Sequence, residues 1–161
     1  MTVYVLPAAE QSGPIPIAYP DCAGDVVVNR FEIDLGSAPL KGVTLAQDDI
    51  LDIGIIPATS QVVDVVIDSD DLDSNGSPTI AFNVGVLTGT PGTTGDDRVC
   101  GSEFFAATNV AQAGGVARAT AKTAFRVARA DTDKSVGVKI TAAAATQATS
   151  GKIGVSVFVK G

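Results

Sequence analysis

Residues 61–87, QVVDVVIDSDDLDSNGSPTIAFNVGVL, decide the fold. Both ends of this stretch carry apolar residues at every second position, the period of a β-strand that buries one face. These residues are Val63, Val65 and Ile67 in the first arm and Ile80, Phe82, Val84 and Val86 in the second. The acidic link between the arms ends in Asn75-Gly76, which favours a turn because both residues tolerate positive φ. The stretch therefore predicts a long β-hairpin with a charged tip.

Length and composition favour one all-β domain. The chain has 161 residues, enough to bury about two-thirds of the surface of the unfolded chain around a single core. Apolar residues make up 45% of the chain but aromatic residues only 5%, so the core has to be built from Val, Ile, Leu and Ala. Seventeen glycines and eight prolines supply the turns that many short strands require.

The same period marks further strands on both sides of the central stretch. They are residues 25–33, 49–56, 135–142 and 152–160, with a short strand at 40–45 and a strand or irregular segment at 99–106. The connection 143–151 is expected to close a second hairpin, and one or two helical turns are expected at 107–113. About eight strands in two packed sheets predict an all-β, two-sheet β-sandwich that is jelly roll-like, with a barrel as the alternative.

The first 24 residues differ from the rest of the chain in their prolines. Prolines, which remove backbone donors and fix φ, occur at Pro7, Pro14, Pro16 and Pro20. Apolar residues alternate around them at Ile15, Ile17 and Tyr19. A disordered terminus is one interpretation, but the alternation favours an extended segment that docks on a surface. We therefore divide the chain into an extended N-terminal arm, residues 1–24, and a single β-sandwich domain, residues 25–161.

The charge of the chain disfavours several classes of partner. A formal charge of −7 argues against nucleic acid, because phosphate contacts are made mainly by Lys and Arg, and it disfavours an anionic membrane surface for the same reason. No apolar run reaches the ~18 residues that a bilayer requires. No signal peptide is recognised, so we expect the protein to stay in the cell that makes it.

The single basic cluster is either a solvated strand face or a contact surface for an acidic partner. It consists of Arg118, Lys122, Arg126 and Arg129.

The acidic link contains weak candidates for Ca²⁺ ligands. Residues 71–76, DLDSNG, match the first half of an EF-hand loop, which makes Asp71, Asp73 and Asn75 the candidates, with Asp68 and Asp70 nearby. The match then fails, because the twelfth position is Phe82 instead of Glu and strands flank the loop. A solvated hairpin tip whose charges discourage edge aggregation is the favoured interpretation. We therefore assign no metal ion to the chain.

Catalytic and cofactor chemistry is not expected. The chain has no histidine, so the commonest general base is missing. No serine has a nucleophile-elbow context, and no glycine-rich phosphate loop follows a strand. Cys22 and Cys100 lie far apart without a CxxC motif, so zinc lacks ligands. We expect both cysteines to be free and mostly buried, with a disulfide left open, and we predict that the chain is not an enzyme.

Three stretches together resemble a known family. They are residues 64–87, the step 111–115, and residues 130–145 with the strand pair that ends the chain. The chain resembles small structural proteins of tailed bacteriophages, which include capsid decoration or cement proteins. The resemblance covers roughly residues 49–161, leaves the N-terminal arm uncovered, and brings no catalytic residues with it.

The resemblance implies a viral structural role. A capsid decoration or cement protein binds the outside of the major capsid shell and stabilises it by bridging capsid subunits. The implied partner is the major capsid protein, with a homo-oligomer, a dimer or trimer, on a capsid symmetry axis. The implied location is the capsid surface of the virion, after synthesis in the bacterial host cytoplasm. We expect the arm and the exposed edge strands to make the contacts.

Other classes of function stay open at this point. A tail, baseplate or fibre-associated virion protein would share the composition and the β-sandwich. A calcium-dependent adhesin would gain thermal stability with added Ca²⁺. A carbohydrate-binding sandwich is disfavoured, because the chain has no tryptophan to form a stacking platform, and its two tyrosines, Tyr4 and Tyr19, both lie in the arm.

Overall fold

The computed structural model describes residues 1–6, 25–95 and 97–161. Within these ranges the chain forms nine β-strands and two short 3-10 helices. The strands are β1 (Val3–Val5), β2 (Val26–Asp34), β3 (Ile50–Ile56), β4 (Gln61–Ser69), β5 (Ala81–Leu87), β6 (Phe105–Thr108), β7 (Gly115–Arg118), β8 (Lys134–Ala142) and β9 (Lys152–Lys160). The 3-10 helices are Val110–Gln112 and Ala124–Arg126. None of the helices in these residues is long and apolar enough to cross a membrane.

The strands form two sheets that pack face to face. Sheet A has the order β1-β3-β8-β5-β6, and sheet B has the order β2-β9-β4-β7. The β1–β3 pair is parallel, and the other pairs are antiparallel. From β2 to β9 the chain changes sheet at every connection except β5–β6. This is the order of a jelly roll, so the predicted all-β, two-sheet β-sandwich is confirmed.

Both predicted hairpins are wrong as strand pairs. β4 lies in sheet B and β5 in sheet A, and β8 and β9 are likewise divided between the sheets. β4 pairs with β9, and β5 pairs with β8. Alternating apolar residues show that a strand buries one face. The same alternation is found whether the next strand joins the same sheet or the facing sheet, so it does not predict which strands pair. The acidic link after β4 is therefore a crossover between sheets.

The short strand expected at 40–45 is a series of turns. Gly42 has φ of 76°, a left-handed conformation that glycine adopts without strain. A side chain replaces the strand partner, since Gln147 Nε2 donates to the carbonyl of Val43 (2.7 Å) and Gln147 Oε1 accepts from the N–H of Leu45 (2.8 Å). The helical expectation at 107–113 is reduced to the single 3-10 turn Val110–Gln112.

Part of the predicted arm lies in sheet A. Residues Val3–Val5 form β1, which pairs with Ile50–Asp52 of β3, and the N–H of Leu6 donates to the carbonyl of Asp52. The pattern of alternating apolar residues at this point is only three residues long, so the sequence did not reveal the strand. Residues 7–24 of the arm lie outside the described residues, and the boundary between arm and domain stays a prediction.

The core lies between the two sheets and is mainly aliphatic, as the composition requires. Its buried side chains include Phe31, Ile33, Leu51, Ile53, Val65, Ile67, Phe82, Val84, Val136, Val138, Ile140, Val155, Val157 and Val159. Successive members on each strand are two residues apart over most of its length, which is the alternation that predicted the strands.

Gly54 on β3 makes room for the ring of Phe31 in this core. A Cβ atom at Gly54 would overlap the Phe31 ring. We expect Gly54→Ala to lower the free energy of unfolding by about 1–3 kcal/mol, because the ring has to leave its packed position. Urea unfolding followed by far-UV circular dichroism measures the loss. Gly76→Ala is the matched control, since no atom lies near the added methyl group; equal stabilities of the two variants would contradict the packing described.

Candidate functional site

The outer face of sheet A is covered by the chain's own residues 88–95 and 97–103. Ile50, Leu87 and Cys100 form a second, small hydrophobic cluster there. Gly137 on β8 permits this close approach, because a Cβ atom on it would lie 3.0 Å from Cys100 Sγ. The covering segment therefore rests directly on the sheet.

A buried ion pair anchors the covering segment to sheet A. Arg98 is 3% exposed and Asp52 is fully buried, and Arg98 Nη1 lies 2.5 Å from Asp52 Oδ2. Arg98 also donates to Ser135 Oγ (2.9 Å), to the carbonyl of Thr88 (2.8 Å) and to the carbonyl of Thr93 (2.8 Å). One guanidinium group thus fixes the Gly/Thr-rich loop that follows β5.

The Asp52 carboxylate depends on this guanidinium group for compensation. Burial raises the pKa of Asp52, while the hydrogen bond and charge of Arg98, with the N–H of Gly92 and the hydroxyl of Ser135, oppose the rise. The sequence analysis missed this cluster. The available signal was an acidic residue inside the apolar run ILDIGII, since a charge on a strand that is buried on both faces needs a partner.

Asp73, one of the three weak calcium candidates, binds backbone groups of the protein itself. Asp73 is 1% exposed. Its Oδ2 accepts from the backbone N–H groups of Thr79 (2.7 Å), Ile80 (3.2 Å) and Ala145 (2.8 Å), and its Oδ1 accepts from Thr146 (2.8 Å). Burial alone would raise the pKa of Asp73, but these four donors outweigh burial and hold the pKa well below its usual range. Asp73 thereby joins the β4–β5 crossover to the β8–β9 crossover.

The other two candidates also bind groups of the protein. Asp71 Oδ1 accepts from the N–H of Asp73 (3.0 Å), and Asn75 Oδ1 accepts from the N–H of Ser77 (2.9 Å). Among the residues that the structure describes, no group of three or more acidic, histidine or cysteine side chains is arranged to hold a metal ion. The prediction of a solvated tip is wrong for Leu72 and Asp73, which are buried. It agrees with Asp70, which is exposed.

We expect Ca²⁺ to leave the thermal stability of the protein unchanged. The oxygens that a cation would need face N–H donors, so binding would have to break the Asp73 hydrogen bonds. Differential scanning calorimetry in millimolar CaCl₂ and in EDTA should give unfolding temperatures that agree within about 1 °C. A rise of several degrees in Ca²⁺ that Asp71→Ala removes would instead establish a calcium site.

The outer face of sheet B carries charged side chains on one half. Arg30 on β2 reaches across β9 to Asp68 on β4, with Nη1–Oδ1 and Nη2–Oδ2 distances of 2.6 and 2.9 Å. The side chain passes over Gly154, where a Cβ atom would collide with the guanidinium group. Lys152 Nζ lies 2.6 Å from Glu32 Oε1. These exposed pairs tie the outer surfaces of three adjacent strands together.

The other half of the same face is apolar. Val26 and Val28 on β2 are 54% and 46% exposed, and Phe158 on β9 lies opposite Val28 in the strand register. Val116 on β7, which is 73% exposed, lies apart from them, opposite Asp68 in the charged half. Among the described strands, β2 and β7 are the edges of sheet B. Apolar side chains grouped on and beside an edge strand are typical of a contact surface.

The predicted basic cluster is divided between two places. Arg118 on β7 pairs with Asp64 on β4, and its Nε lies 2.8 Å from Asp64 Oδ2, so this residue belongs to the solvated face of sheet B. Lys122 and Arg126 line a groove beside the 3-10 helix Ala124–Arg126, and Arg129 donates to the carbonyl of Gly161.

Cys100 is a free and buried thiol. Burial, with a smaller effect of Glu103, raises the pKa of Cys100 to about 12, so the reactive thiolate is rare near neutral pH. Cys22 lies outside the described residues.

Structures of phage capsids contain chains that are similar to this one. A chain in "Capsid of Ralstonia phage GP4" is 41% identical, with a TM-score of 0.87, and the match covers 99% of this chain and 98% of that one. A chain in "Cyanophage Pam1 capsid asymmetric unit" is 27% identical, with a TM-score of 0.65 and coverage of 94% and 96%. No family model matches the sequence, and the curated proteins contain no match to it.

A third chain shares the fold. It belongs to "Acidic stable capsid structure of Helicobacter pylori bacteriophage KHP30" and is 13% identical, with a TM-score of 0.55 and coverage of 86% and 89%. Fold and relatives together define a bacteriophage structural protein. At 41% identity over almost its whole length, the chain belongs to the small structural proteins of tailed-bacteriophage capsids, and it is a virion structural protein. The resemblance inferred from the three sequence stretches is confirmed.

Proposed function

We propose that the protein is a capsid decoration, or cement, protein that binds the outside of the major capsid shell and stabilises it by bridging capsid subunits. The supporting observation is the similarity, over 99% of the chain, to a chain of the Ralstonia phage GP4 capsid. The proposed location is the capsid surface of the virion, and the chain is made in the bacterial host cytoplasm. The role requires no catalytic group and no cofactor.

The anchoring of the loops by buried side chains supports a bridging role. Asp73 joins two crossovers, and Arg98 fixes the loop over sheet A. A protein whose loops are ordered before binding loses less conformational entropy when it binds, so more of the contact energy stabilises the shell.

The outer face of sheet B supplies a contact surface for the major capsid protein. Val26 and Val28 expose apolar area at the β2 edge, and burial of such residues with strand addition at the edge is a common mode of recognition. Copies placed on a capsid symmetry axis would repeat this contact as a dimer or trimer. The net charge of −7 favours the outside of the shell, because packaged DNA repels an acidic protein.

We expect deletion of residues 2–20 to reduce binding to undecorated capsids by at least about tenfold, because the predicted arm would no longer reach a neighbouring subunit. Co-sedimentation of purified protein with capsids measures the bound fraction.

The deletion also removes β1, so the matched variant keeps residues 1–6 and replaces residues 7–20 with a Gly-Ser linker of the same length. Its loss of binding, with unchanged thermal stability, would assign the effect to the arm. Unchanged binding of both variants would show that the arm plays no part in the contact.

A further inference from the structure

We infer that a groove at one end of the sandwich binds an extended, acidic peptide segment of a partner protein. The groove has a volume of about 460 Å³ and lies between Val86 near the end of β5, Lys134 at the start of β8, and the segment around the 3-10 helix Ala124–Arg126. If the cement role holds, the segment belongs to the capsid shell. Only the source of the segment depends on the proposed function. Its acidic, extended character is inferred from the groove itself.

The cations of the groove are the first argument. Lys122, Arg126 and Lys134 line it. Five cations elsewhere in the described chain are paired with carboxylates, and these are Arg30, Arg98, Arg118, Lys139 and Lys152. Lys41, Arg129 and Lys160 are not, but they do not line the groove. Within the same residues, none of the three groove cations forms such a pair. In a chain of net charge −7, three cations that line one groove create a local positive potential.

The single acidic residue of the groove is held against its wall. Glu103 Oε2 accepts from the N–H of Val86 (2.9 Å), and the Glu103 carbonyl accepts from Thr123 Oγ1 (2.8 Å). The lining therefore keeps an excess of positive charge. A fixed carboxylate beside the cations disfavours a dense polyanion such as DNA, whereas a peptide can place its carboxylates away from it.

The shape and the apolar lining favour a peptide over a single small anion. Val86 and Val127 are half-buried side chains of the lining. A second hollow of about 370 Å³ shares Glu103 and Thr123 with the groove, so the two hollows are adjacent and together offer room for an extended segment. Basic residues around an apolar channel are typical of sites that recognise acidic motifs.

Fluorescence anisotropy with the full chain tests the inference. The probe is a labelled ten-residue peptide of alternating Glu and Val, compared with the same peptide carrying Gln for Glu, at ~50 mM salt, where screening is weak. We expect the Glu peptide to bind at least about tenfold more tightly than the Gln peptide, and Lys122→Gln with Arg126→Gln to weaken it by about tenfold. Lys41→Gln with Lys160→Gln is the control of equal charge and should retain binding within about twofold.

Three results would overturn the inference. They are equal binding of the Glu and Gln peptides, equal losses in the groove and control variants, and tighter, groove-dependent binding of a labelled dT20 oligonucleotide. Undecorated capsids separate the two proposals. If the protein binds the peptide through the groove but does not coat capsids, the groove inference stands and the cement role is wrong. If the protein coats capsids but binds the Glu and Gln peptides equally, the cement role stands and the groove inference is wrong.

Discussion

Arg98→Met is expected to lower the free energy of unfolding by about 3–5 kcal/mol, the cost typical of removing one partner of a buried ion pair. The Asp52 carboxylate has no exposed surface, so water cannot replace the lost guanidinium group. The substitution also removes the donors to the carbonyls of Thr88 and Thr93, which frees the loop that covers sheet A. Urea unfolding followed by far-UV circular dichroism measures the effect.

Two further variants assign this loss to the buried charge. Arg30→Met breaks the exposed pair with Asp68, whose side chains are 48% and 39% exposed, and is expected to cost less than about 1 kcal/mol. Asp52→Leu combined with Arg98→Met removes both charges and should recover much of the lost stability, because an apolar pair of similar volume is often as stable as a buried ion pair. Similar losses in Arg98→Met and Arg30→Met would contradict the account.

Asp73→Ala is the second variant with a large expected effect. It leaves the N–H groups of Thr79, Ile80, Ala145 and Thr146 without their acceptor, and unpaired buried donors are costly. We expect the unfolding temperature to fall by about 10 °C or more. Asp71→Ala is the control, because exposed Asp71 accepts a hydrogen bond from the N–H of Asp73. Its unfolding temperature should fall by a few degrees at most.

The same residue should control part of the acid sensitivity. The folded state holds the pKa of Asp73 below its usual range, so below about pH 4 the unfolded chain binds more protons at this position than the folded protein does. The stabilisation is therefore present above about pH 4 and is lost as the pH falls further. Unfolding temperatures measured from pH 6 to pH 3 should fall more steeply for the wild type than for Asp73→Asn; parallel curves would show that Asp73 does not contribute.

The period of apolar residues predicted the long strands well, and for a clear physical reason. A strand on a sandwich buries alternate side chains, as Val155, Val157 and Val159 do on β9, and this requirement is local in sequence. Pairing is not local. β9 lies between β2 and β4, and both of these strands are far from β9 in the sequence. No local pattern distinguishes this arrangement from a hairpin of β9 with β8.

The candidate site was less predictable, because its residues meet only through the fold. Asp73 attracted attention as a calcium ligand, yet its partners Ala145 and Thr146 lie on another crossover and contribute backbone groups that carry no sequence signal. The anchor formed by Asp52, Arg98 and Ser135 joins three separate segments in the same way. The basic run was visible in the sequence, but the pairing of Arg118 with Asp64 depended on β7 lying beside β4.

The most direct test of the central claim is cryo-electron microscopy of undecorated capsids of the parent particle after mixing with the purified protein. The account predicts regular density on the outside of the shell at capsid symmetry axes, with each copy touching more than one capsid subunit, and decorated shells that resist heat better than bare ones. Bare shells, or density on tails alone, would contradict the cement role and would favour a tail or baseplate protein.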